Sequence, residues 1–108
     1  MDLRVIEKLF VDLAAPGADV RERAADEITD LHRGMGVEQV AQLVTALVGA
    51  ALRETAPAAQ EAQLHALIEM QTWHKVDELL LGPLGVLRGR LPSAYADYLD
   101  DLLPRLQQ

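Results

Sequence analysis

Displaced by 39 residues, the chain lays apolar positions over apolar positions. Leu9, Val48 and Leu87 share one column, and Leu13, Leu52 and Leu91 share another. Val20, Ala59 and Tyr98 follow, then Ala25, Leu64 and Leu103, then Ile28, Leu67 and Leu106. A period of this size belongs to helical hairpins laid side by side, because a single hairpin leaves an apolar face that only a neighbour can close. The expectation is one all-α domain over residues 1–108, with about six helices arranged as three stacked hairpins. The alternative is a non-repetitive helical bundle, since half of the residues are apolar and aligned columns can then arise by coincidence.

Apolar spacing and helix breakers locate the elements. A first helix over about 2–15 carries Leu3, Ile6, Leu9, Phe10 and Leu13 on one face, and Pro16-Gly17 ends it. A second starts near Asp19, read as its cap, and carries Val20, Ala24, Ile28 and Leu31 up to the breakers Gly34 and Gly36. The third, over about 37–54, is apolar around most of its circumference, including Leu52, and should lie centrally. Past Pro57, a fourth runs over about 58–71 through Leu64, Leu67 and Ile68. The stretch 75–90 contains Gly82-Pro83, which predicts a kink or two short helices, because proline removes a backbone donor and crowds the preceding turn. Ser93, after Pro92, reads as the cap of a sixth helix that turns Tyr95, Leu99, Leu102, Leu103 and Leu106 inward.

The string Asp19-Val20-Arg21, followed by Ala24, Ile28 and Leu31, resembles the second helix of a HEAT-type repeat, in which an acidic residue precedes a Val-Arg pair. The middle copy departs from that pattern at Ala59-Gln60 and at Gln63, and the third, Tyr98-Leu99, departs further. The resemblance to HEAT/armadillo-like proteins implies an α-solenoid whose second helices line a partner-binding side.

Composition narrows the functional classes. There is no cysteine, so disulfides, thiolate nucleophiles and cysteine-based zinc sites are excluded. The start, Met1-Asp2-Leu3-Arg4, lacks the layout of a secretory signal, and the longest uncharged stretch, 39–52, is shorter than the roughly 20 residues a bilayer requires. A cytoplasmic location without membrane association is expected. Seventeen acids against ten bases give a net charge of −7, which repels phosphate backbones and argues against nucleic-acid binding.

Little suggests a reaction. The single serine, Ser93, reads as a cap, and neither Gly34-Met35-Gly36 nor the 82–85 stretch fits a nucleotide fingerprint. His65 and Glu69 stand four apart and His74 and Asp77 three apart, spacings that a metal pair would use, whereas His32 has no matching set. The same spacings are common on solvated helix faces, so no catalytic residue, metal site or cofactor is assigned and the chain is read as not an enzyme.

The stronger pattern is acidic. Glu22, Glu61 and Asp100 obey the 39-residue offset, as do Asp30 and Glu69, and Glu22, Asp26 and Asp30 form a stripe at steps of four on one helix. Stacked hairpins would merge these into one negative surface. Trp73, the only tryptophan, sits at a corner; it serves either as a plug for the end of the core or as a binding anchor. The candidate partner-binding set is Glu22, Asp26, Asp30, Glu61, His65, Glu69, Trp73 and Asp100. A small, acidic, helical binder also resembles the immunity proteins that neutralise bacterial toxins, which implies a basic protein partner. The alternative is a self-associating scaffold or accessory subunit, a homodimer joined through the flank 79–87, because Leu79, Leu80 and Leu81 cannot share one helix face. The least favoured reading is a metal-dependent enzyme using His65, Glu69, His74 and Asp77.

Overall fold

The computed structural model describes residues 1–103, so Leu106 lies outside the described residues. It is an all-α fold of stacked helices: α1 (Leu3–Leu13), α2 (Ala18–Leu31), α3 (Val37–Arg53), α4 (Pro57–Trp73), α5 (Glu78–Leu81) and α6 (Tyr98–Leu102), with 3₁₀ turns at His32–Gly34 and Gly82–Leu87. No strand occurs among the described residues.

Local chemistry explains most boundaries. Asp2 caps α1 by accepting a hydrogen bond from the Arg4 amide at 2.8 Å. Asp19 does not cap α2. That helix begins at Ala18 with Gly17 in the cap position, leaving Asp19 in the first turn, where its charge faces the positive end of the helix dipole. At the start of α3 the Gln39 side chain reaches back to accept from the Gly36 amide at 3.1 Å. Pro57 opens α4, where its missing donor costs nothing.

The third hairpin is the shortened one. Before Pro83 the helix α5 lasts four residues, and the chain continues as a 3₁₀ turn. Ser93 is not a helix cap either. The 92–97 stretch forms successive turns, with the Tyr95 amide bonded to the Pro92 carbonyl and the Tyr98 amide to the Tyr95 carbonyl, and α6 starts only at Tyr98. The buried ring of Tyr95 explains the detour: its hydroxyl donates to Gln60 Oε1 at 3.0 Å, tying the turns to α4.

The helices form two layers. In one, α3 lies between α1 and α5; in the other, α4 lies between α2 and α6, and α2 and α4 share the largest interface. The smallest dimension, 18 Å, suits two helices in depth. Ile6, Leu9, Ile28, Leu43, Leu47, Leu64, Leu67, Met70, Leu81 and Leu84 form the fully buried centre of one apolar cluster. Alanines at 24, 25, 51, 62 and 66 in this cluster allow close helix approach.

Some positions 39 residues apart in the second layer share burial, whereas Leu31, 36% exposed, and Met70, fully buried, do not. Ala24, Gln63 and Leu102 are all buried, as are Ala25, Leu64 and Leu103, and Ile28 with Leu67. Leu9, Val48 and Leu87 are likewise all buried. The Leu13 column does not hold: Leu52 is 37% exposed, because the last turns of α3 direct Ala50 and Ala51 inward instead.

Candidate functional site

Three features stand out, and the first is internal. Glu54 follows α3, and its side chain is only 1% exposed. Its Oε1 accepts from Arg21 Nε at 2.8 Å and from Gln63 Nε2 at 2.9 Å, while its Oε2 accepts from Arg21 Nη2 at 2.8 Å and from the Thr55 and Ala56 amides at 3.1 Å each. Arg21 uses Nη1 on the Ala15 and Pro16 carbonyls, both at 2.8 Å. One carboxylate therefore joins the corner after α1, the start of α2 and the start of α4. The Arg21 guanidinium holds the Glu54 pKa down at about 2, against the opposing cost of burial. Gln63 Oε1 is buried without a hydrogen-bond partner. A shallow cleft of about 240 Å³ lies against this cluster, walled by Leu13, Ala50 and Arg53 among others. Both members of the pair are already paired, so the cluster reads as structural.

The second feature is the outward side of the α2–α4–α6 layer. Asp26, Asp30, Glu61, His65 and Asp100 are exposed, and Glu22 and Glu69 are half-buried. Glu69 and His65 approach to 3.9 Å. Asp100 is bonded by Arg88 at 3.1 Å, so its charge is partly answered within the chain. The Glu61 charge, after burial, helps to raise the Tyr95 hydroxyl pKa. Arg23, also exposed, interrupts the acids of α2.

The third feature lies where α2 and α4 end side by side. His32 is 1% exposed. His74 Nε2 stands 3.0 Å from the His32 carbonyl oxygen and 3.1 Å from His32 Nδ1. A carbonyl only accepts, so His74 Nε2 carries the hydrogen and donates it, and His32 Nδ1 is the second acceptor. Burial lowers the His32 pKa first and the neighbouring His74 lowers it further, while Glu69 pulls it upward. Beside this pair, the Arg33 guanidinium sits 3.6 Å from the centroid of the Trp73 ring. Trp73 is therefore not a core plug. It is 54% exposed and held by a cation–π contact.

The histidine–carboxylate pairs do not converge on a metal. His74 turns to His32 rather than to Asp77, whose carboxylate instead caps α5 through the Leu79 amide at 2.9 Å. The nitrogen of His74 that meets His32 carries a hydrogen and offers no lone pair. Among the described residues no group of three or more potential ligands gathers.

Next to His74 opens a cleft of about 370 Å³, lined by Val37, Val40, Ala41, Lys75, Val76, Asp77 and Leu80. Of these, Val37 is exposed, as is Leu79 beside Leu80, and of the three consecutive leucines only Leu81 is buried. The pairing of His32 with His74 was hidden in the sequence, because neither residue stands at a ligand spacing from the other. No helix among the described residues is long and apolar enough to cross a membrane. No family model, curated protein or solved structure matches the chain.

Proposed function

We propose that this chain is a non-catalytic protein-binding module of HEAT-like helical repeats that holds a basic protein against the outward side of α2, α4 and α6. The supporting observation is that Asp26, Asp30 and Glu61 sit exposed on two helices packed side by side. The C-terminal ends of those helices are in register, since His32 and Arg33 meet His74 and Trp73. Acids in neighbouring rows then reinforce one another's field. The net charge of −7 extends that attraction and speeds capture of an oppositely charged partner. Among basic partners we propose a bacterial toxin, on the resemblance to small immunity proteins.

The test is a triple substitution, Asp26→Lys, Asp30→Lys and Glu61→Lys, which leaves the Arg88–Asp100 pair intact. Binding to a basic partner, followed across salt concentration, should weaken by at least tenfold and lose part of its salt dependence. Unchanged affinity and an unchanged salt slope would reject the acidic-face reading.

A second reading, self-association as a scaffold or homodimer, is favoured by Leu79, which is 83% exposed, and by exposed Val37 and Val86. Sedimentation over a range of concentrations separates the two: a strict monomer leaves only the first.

A further inference from the structure

The ends of α2 and α4 are joined by two adjacent contacts. His32 accepts from His74, and Arg33 covers the face of Trp73. The residue after this junction, Lys75, begins a segment that lines the apolar cleft together with Val76, Asp77 and the opposing Val37 and Val40. The position of that wall therefore depends on what holds His74.

The contact has a defined proton arrangement. His74 Nε2 donates to the backbone carbonyl and to Nδ1 of His32, so His32 must be neutral with Nδ1 bare. A proton on Nδ1 would set two donors face to face at 3.1 Å. It would also place a positive charge on a side chain that is 1% exposed. The ionisable groups acting on this imidazole are Glu69 of α4, which welcomes the charge, and His74 and Arg33, which oppose it. Burial adds to the opposing side. Charging His32 thus requires the contact to part.

We propose that His32 and His74 form a proton-operated clasp: when neutral it holds the 74–77 segment against the end of α2 and keeps that wall of the cleft in place, and a proton on His32 releases it. The sign follows from linkage. The folded form holds the proton less tightly than the unfolded one, so the clasp is fully closed above the ordinary histidine pKa of about 6.5. Below that value the opening equilibrium rises by up to about tenfold per pH unit, the limit for one proton.

Trp73 is the chain's only tryptophan and reports on the junction directly. Its emission and the amide shifts of residues 74–77 would be followed on the full chain from about pH 8 to about pH 5, alongside the imidazole nitrogen shifts of His32, His65 and His74. The expected result is a transition in Trp73 and in 74–77 that shares the midpoint of His32. In His32→Gln the transition should vanish, because glutamine can accept from His74 but cannot titrate there. A His65→Gln control should retain it. Invariant Trp73 and 74–77 signals across this range in the unsubstituted chain would overturn the clasp. So would a transition that follows His65 rather than His32. Should His32→Gln fail to fold, the shared or separate midpoints in the unsubstituted chain still decide.

Discussion

Arg21 and Glu54, 33 residues apart, meet through two parallel hydrogen bonds of 2.8 Å each, and the carboxylate accepts three more from Gln63, Thr55 and Ala56. The contact ties the first helical hairpin to the second at a point where both chain corners leave backbone groups to satisfy. Bidentate geometry of this kind is available to arginine and not to lysine.

Glu54 should accordingly dominate the acid sensitivity of the fold. Its pKa lies at about 2 in the folded chain against 4.5 ordinarily. A depressed carboxylate stabilises the fold above its unfolded pKa, and that contribution is lost as pH falls from about 4.5 towards about 2. Chemical denaturation at a series of pH values should show a decline in stability across this interval that Glu54→Gln flattens. At neutral pH, Glu54→Ala should cost about 3 kcal/mol, since it strips five donors of their acceptor at once.

Much of the architecture was legible from residue spacing, and the reason is physical. Ile28 with Leu67, and Leu9 with Val48 and Leu87, are apolar because each faces the one core, and all are buried. The 75–103 region was less legible. A four-residue helix carries no periodicity. Tyr95, Leu99, Leu102 and Leu103 are read as inward and are buried, but Tyr95 sits in the turns before α6, tied to Gln60 35 positions away, rather than within a helix capped by Ser93. The candidate site divides in the same manner. The exposed acids of α2 and α4 could be read from a helical wheel. The His32–His74 contact could not, because it depends on where two helices end.

Core and surface leucines should differ sharply. Leu47 is fully buried between the layers, and Leu47→Ala should cost about 3 kcal/mol through lost transfer energy and the void it leaves. Leu79 is 83% exposed, so Leu79→Ala should stay within about 0.5 kcal/mol. Urea melts of the two variants against the parent, with unchanged slopes, give both numbers.

Gly36 offers a stabilising change. It occupies the cap position of α3 with extended backbone, nothing lies within 4 Å of where a Cβ would stand, and Gln39 already bonds its amide. Gly36→Ser should complete a reciprocal capping box and reduce the freedom of the unfolded chain. The two effects together should raise stability by about 1 kcal/mol, readable as a higher melting temperature.

The carboxylate at the end of α3 also bears on how this stack comes apart. Long helical arrays can fray one unit at a time, because each unit touches only its neighbours through apolar surface. Here the opening hairpin cannot peel away without breaking both Arg21–Glu54 hydrogen bonds and withdrawing the guanidinium that covers the carboxylate. Heat should therefore dismantle both hairpins in one step rather than unzip them from the amino-terminal side.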